Sequence, residues 1–205
     1  MSQEIQNLPP EVTPDDILQR AAIDKSTRLP VLFFFTSAAA WLLVATLLGL
    51  LSSIKLVSPG FLESEYLNFP RLQPAFTNAL VYGWAFQAGI GVMIWIMARL
   101  CRTELRNPVT LVVAGHFWNL GVTLGVLGIL AGYGNLQMKL LEFPAMVWPV
   151  LLVAYSLIVV WLVIMYSARR KGMVYISQWY IPAAAFAWPW IYLTANMLLN
   201  VLKKA

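Results

Sequence analysis

The side chains able to do chemistry are few in this sequence, and their spacing limits what they can do together. One histidine, His116, and one cysteine, Cys101, stand among 205 residues. A lone cysteine, here between Arg99 and Arg102, closes no intrachain disulfide and builds no thiolate cluster. Haem or copper needs at least one well-placed donor and usually a second, and no second histidine is available. The thioethers on offer, such as Met93, Met97, Met138 and Met146, more often fill space. A hydrolytic triad fails for a related reason, because no adjacent acid orients His116 as a base. Glu63 and Glu65 are close enough to suggest paired carboxylates, yet no cleft accompanies them, and they are expected to be solvated loop acids. No phosphate loop and no His-Glu-x-x-His occurs. His116 precedes Asn119 by three residues on one helical face, so the pair is expected to make a polar contact with a neighbouring helix.

The elements that must position these groups are read from hydropathy. The chain is 60% hydrophobic and 11% charged, with a mean hydropathy of +0.71. Such a chain has too little polar surface to cover a soluble globule. Its apolar residues fall into five runs, about 30–53, 75–98, 109–132, 145–167 and 177–200, and no interior contains Asp, Glu, Lys or Arg. Each run exceeds the ~20 residues needed to cross a bilayer as a helix. The predicted fold is therefore all-α, a polytopic membrane protein of five transmembrane helices preceded by a short amphipathic N-terminal helix. Thr13-Pro14-Asp15-Asp16 reads as a helix start, with Thr13 as N-cap, and the short helix is expected to run to about Lys25. Its stripe of Ile17, Leu18, Ala21 and Ala22 suits a membrane surface or a partner. This divides the chain into a cytoplasmic segment, 1–28, and a five-helix bundle, 29–202. The acidic first 28 residues do not fit a signal peptide, so the N-terminus is expected to be retained.

Orientation follows from the 14 Lys and Arg residues. Arg20, Lys25, Arg28, Arg99, Arg102, Arg106, Arg169, Arg170 and Lys171 fall on one side, and Lys55, Arg71, Lys139, Lys203 and Lys204 on the other. The excess on the first side predicts a cytoplasmic N-terminus and an outer C-terminus. In the third run, Gly121, Gly125, Gly128 and Gly132 recur at spacings of four, three and four, a small-residue stripe suited to close helix packing. It is also a candidate contact surface for a partner. Trp148, Trp179, Trp188 and Trp190 are expected in an aromatic belt near span ends.

Two local motifs carry a family resemblance. Arg71-Leu72-Gln73-Pro74-Ala75-Phe76-Thr77-Asn78-Ala79 resembles the start of the second helix in the catalytic subunit I of cbb-type haem–copper oxidases and the related nitric-oxide reductases, where His-Thr-Asn-Ala follows the proline region. Tyr175-Ile176-Ser177-Gln178-Trp179-Tyr180, after the basic run Arg169-Arg170-Lys171, is similar to the opening of the fifth helix. The likeness covers about residues 28–200, the front half of that subunit. It implies a haem-ligand histidine at the position this sequence fills with Phe76, and a phenyl ring has no lone pair for iron. The resemblance places the remaining ligands, copper histidines included, in later helices. No metal site and no cofactor of its own is expected, haem entering only through partner subunits, and His116 is the one low-ranking candidate ligand.

The function expected from this combination is that of a non-catalytic membrane subunit of a respiratory or other electron-transfer complex. It would retain an oxidase subunit I-like scaffold for assembly or stability, and would not be an enzyme by itself. The alternative is half of a split haem–copper oxidase or nitric-oxide-reductase-like core completed by a partner chain. Other membrane subunits and lipid are the expected partners, nucleic acid is not, and the expected location is the bacterial inner membrane with the C-terminus periplasmic. Absent interior charges weigh against an ion-coupled transporter.

Overall fold

The computed structural model describes residues 14–135, 138–172 and 174–202. Six α-helices follow in order: α1 (Pro14–Val57), α2 (Phe69–Asn78), α3 (Phe86–Cys101), α4 (Pro108–Leu130), α5 (Trp148–Ser167) and α6 (Ser177–Leu202). A π-helical stretch, Ala79–Ala85, joins α2 to α3 without a break, so Phe69–Cys101 is one continuous helical unit. Among the described residues there is no strand.

Local chemistry sets the helix ends. Asn68 caps α2, its side chain accepting from the Arg71 amide at 3.1 Å, and a proline occupies the first turn. Arg102 takes a left-handed conformation that ends α3, and Asn107 takes one just before Pro108 opens α4.

The short lead-in helix expected to end near Lys25 is not a separate element. α1 runs on through Pro30, and the boundary expected between 28 and 29 falls inside it. Proline removes one backbone donor there, a loss that usually breaks or bends a helix. In the preceding turn, side chains also bond to the backbone. Ser26 Oγ donates to Ile23 O at 2.7 Å, Thr27 Oγ1 bonds Ile23 O and Asp24 O, and the Leu105 amide donates to Ser26 Oγ at 2.9 Å. At about 1.5 Å per residue the 44 residues of α1 reach about 66 Å, well beyond the ~30 Å hydrocarbon core. The helix is longer than one crossing of such a core requires. The expected cap, Thr13, and Lys203 and Lys204 lie outside the described residues.

Four of these units are long and apolar enough to cross a membrane: α1, the Phe69–Cys101 unit, α4 and α5. α6 is long enough at 26 residues, but Gln178, Pro182, Pro189 and Asn196 make it less apolar. α1 packs along the Phe69–Cys101 unit and α4, α4 against α5, and α5 against α6, while α3 also touches α5 and α6. Phe34, Leu72, Ile90, Ile94, Trp118, Leu151, Ile158 and Leu162 are buried between them, whereas Leu43, Leu47, Leu124, Val153 and Ile191 face outward. An apolar exterior is what a lipid solvent requires.

At one end the basic segments are tied to one another. The Arg170 amide donates to Cys101 O at 3.0 Å, Gln178 Nε2 bonds Leu100 O, and Trp161 Nε1 reaches Arg106 O at 2.9 Å. Arg99 grips Asp24 through two bonds, Nε to Oδ1 at 2.6 Å and Nη2 to Oδ2 at 2.5 Å. The hydrogen bonds from Arg99, outweighing partial burial, hold the Asp24 carboxyl below its ordinary value, with the charge of Arg99 and a bond from Trp95 adding to this. A carboxyl depressed on folding adds stability above the unfolded aspartate's pKa, and loses it as pH falls through the folded value. Asp24→Asn is therefore expected to lower the thermal midpoint in detergent modestly near neutral pH, both partners being over a third exposed. The gap to wild type should close in acid below the ordinary aspartate range, and a gap constant across that range would show the pair to be without effect.

Candidate functional site

The segment carrying the second-helix motif sits at the opposite end of the bundle. Phe76, in α2, is half-buried and lies against Gly49 of α1, where a Cβ would meet ring atoms at 3.0 Å. Two residues on, Asn78 is fully buried, donating through Nδ2 to Pro74 O at 2.9 Å and to Glu142 Oε2 at 2.8 Å. Its Oδ1 has no partner. Arg71 crosses to α4, with Nη1 on Leu130 O at 3.2 Å and its guanidinium beside Gly132, and also meets exposed Glu65 at 3.6 Å. Glu65 thus pairs with Arg71, while Glu63 lines an outer groove beside Lys55.

The π-helical stretch organises the interior. Widening a helix by one residue per turn displaces carbonyls from the regular ladder and offers them to side chains. Trp118 Nε1 takes Tyr82 O at 2.9 Å, and Gln87 Nε2 takes Gly83 O at 2.8 Å. Gly83 has no side chain because Trp41 of α1 lies over it, with ring atoms 2.7 Å from where a Cβ would stand. Around this stretch Tyr82, Phe86, Trp118, Phe143, Tyr155, Trp188 and Tyr192 form one cluster of rings with centroids 4.4 to 6.4 Å apart. Trp188 belongs to this cluster and not to a membrane-edge belt. Trp179 and Trp190 are exposed.

Asn119 is the hub of a second polar group. Its Oδ1 accepts from Trp41 Nε1 at 2.8 Å and Gln87 Nε2 at 3.1 Å, and its Nδ2 donates to Ser37 Oγ at 3.1 Å. It therefore joins α1, α3 and α4. His116 does not share in it: the ring is exposed, bonds Val112 O of its own helix at 2.9 Å, and lies tilted against Phe33 with centroids 4.7 Å apart. One turn of α4 carries the two residues to different surroundings.

Along the glycine stripe, Gly121 and Gly125 are buried, Gly128 is half-buried and Gly132 is exposed. Gly121 faces Leu151, Gly125 faces Phe143, Gly128 faces Pro144 and Gly132 faces Arg71, each with a neighbour within 2.9 Å of where a Cβ would stand. Gly132 lies beyond α4, with a φ of +91° that favours glycine. The neighbouring space along the stripe is taken up by this chain's own side chains.

Among the described residues no three His, Cys, Asp or Glu side chains are grouped to hold a metal ion. At the position where the resemblance implies a haem ligand, the Phe76 ring has no lone pair and rests on Gly49. The residues there do not fit a haem held in that way.

Apolar helices of membrane length, packed about an aromatic interior with an apolar outer face, define a multi-pass membrane protein. Residues 29–204 match the family described as Cytochrome C and Quinol oxidase polypeptide I, and the chain belongs to that family. It is 24% identical over 155 residues to the Cbb3-type cytochrome c oxidase subunit CcoN1 of Stutzerimonas stutzeri, covering 73% of this chain and 32% of that relative. Over 65 residues it is 29% identical to a Cytochrome c oxidase subunit 1 homolog of Agrobacterium tumefaciens (strain T37), covering 32% of this chain and 12% of the relative. The matched region thus spans a third or less of these curated relatives. No solved structure matches the chain.

Proposed function

We propose that this chain is a non-catalytic membrane subunit of a respiratory or other electron-transfer complex, an oxidase subunit I-like scaffold that serves assembly or stability. The observation that carries this reading is Phe76. The family scaffold persists over 29–204, while the position of its second-helix ligand holds a ring without a donor atom. In this reading α6 is a fifth span, its 26 residues reaching about 39 Å. The chain then sits in the bacterial inner membrane with a cytoplasmic N-terminus and a periplasmic C-terminus, as the basic residues favour. It carries no haem of its own, and haem reaches the complex only through partner subunits.

The test is purification of the tagged chain in mild detergent, identification of the membrane proteins that accompany it, and reduced-minus-oxidised spectra of both the complex and the isolated chain. The expected result is co-purifying oxidase or electron-transfer subunits and no haem bands in the isolated chain. Haem bands in the isolated chain would overturn the ligand argument. A single partner supplying the later helices, with haem bands that disappear when the two chains are separated, would establish the split catalytic core instead.

A further inference from the structure

A groove of about 520 Å³ opens between α1 and α3 at the basic end of the bundle. Its upper part is lined by Lys25, Asp24 and Arg28, its lower part by Val31, Leu32 and Trp95. Lys25, Arg28 and Leu32 follow at steps of three and four, so they form one stripe of α1. All three are exposed, as is Trp95 on α3. Asp24 is already engaged by Arg99, whose guanidinium also lies 5.5 Å from the centre of the Trp95 ring. The acid in the groove is thus neutralised within the protein, while Lys25 and Arg28 have no acidic partner among the described residues.

Two unspent cations above an apolar lane, with a tryptophan at the junction, match one kind of molecule. An anionic headgroup lies against the cations and an acyl chain runs down the lane. Trp95 sits where aromatic side chains meet the headgroup region, and basic pockets between helices on the cytoplasmic side are where anionic lipid headgroups bind. A diffuse basic surface lacks the apolar lane, and a greasy groove lacks the cations. We infer that the α1–α3 groove is a binding site for an anionic glycerophospholipid, with its phosphate on Lys25 and Arg28 and an acyl chain along Val31, Leu32 and Trp95. The inference requires that this end of the bundle lie at a membrane face, and it is independent of the oxidase-subunit reading.

The test uses the full chain in a neutral detergent, titrated with phosphatidylglycerol or with phosphatidylcholine of the same acyl composition. Phosphatidylglycerol is expected to raise the thermal midpoint more. Its version brominated on the acyl chain should quench a fluorescence component that is missing from Trp95→Phe. The Lys25→Gln/Arg28→Gln double variant should weaken the phosphatidylglycerol effect on the order of tenfold. Arg106→Gln/Lys171→Gln, which removes the same charge from the same end, should leave it near wild type. Equal responses to the two lipids, or equal losses in the two double variants, would overturn the site in favour of general surface attraction. The same protection by inorganic phosphate alone would overturn the lipid as occupant.

Discussion

Trp118→Ala is expected to lower the stability of the folded chain by about 3 to 5 kcal/mol, the range for truncating a large buried aromatic. The indole is fully buried at the meeting of four rings, with Phe86 at 5.6 Å, Trp188 at 5.7 Å, Tyr155 at 5.8 Å and Tyr82 at 6.4 Å between centroids. In a membrane the loss arises mainly from forfeited packing, because lipid tails reward apolar burial little. Part of that loss is a hydrogen bond. The Tyr82 carbonyl that Trp118 Nε1 occupies lies in the π-helical stretch, away from water, and an orphaned buried acceptor costs about 1 to 3 kcal/mol. Trp118→Phe separates the two, since it retains most of the ring packing and removes only the donor. Unfolding of the purified chain in mixed micelles should rank wild type above Phe and Phe above Ala. If alanine were as stable as wild type, the aromatic cluster would not be what holds α3, α4, α5 and α6 together.

The parts of this molecule that were legible in the sequence are those set by long-range hydropathy. Runs without charge over 75–98 and 145–167 could only be long apolar helices, and the structure contains them with ends shifted by a few residues. The signal failed where a single residue had to speak for its surroundings. The lead-in helix was expected to end near Lys25, with a boundary between 28 and 29, yet α1 continues through both and through Pro30. The π-helical stretch left no mark in periodicity, and Gly83 between Tyr82 and Trp84 was its nearest hint. His116 and Asn119 share a face on a helical wheel, but the ~60° between them is enough to send one outward and the other to Trp41 and Gln87. Glu142 drew no reading from the sequence, although it is buried against Asn78. Phe76 was legible only through resemblance, since nothing in a half-buried phenylalanine announces a missing ligand.

Gly125→Leu is expected to prevent the isolated chain from reaching its native fold. A Cβ at this position would stand 2.4 Å from Phe143 Cδ1 and 2.5 Å from Cε1, so even Gly125→Ala must displace a ring, at a cost of about 1 to 3 kcal/mol. The larger side chain must displace the same ring further. Gly121 is closed by Leu151 on one side and Gly128 by Pro144 on the other. Phe143 cannot retreat freely either, because its ring lies 5.1 Å from that of Tyr82 and so transmits any shift to the aromatic cluster. A partner-docking stripe would behave differently, with the leucine variant remaining monodisperse and stable alone while losing its partner. Size-exclusion chromatography and thermal unfolding of the isolated chain distinguish the two outcomes, with aggregation and a collapsed midpoint expected here. Leu127, exposed on α4, supplies the comparison, and Leu127→Ala should change little. The sharpest check is Phe143→Ala combined with Gly125→Leu. Each change alone destabilises, one by opening a cavity and the other by overfilling the same space, so the double variant should be more stable than the sum of the two losses allows. Strict additivity would mean that Gly125 and Phe143 do not share the space assigned to them.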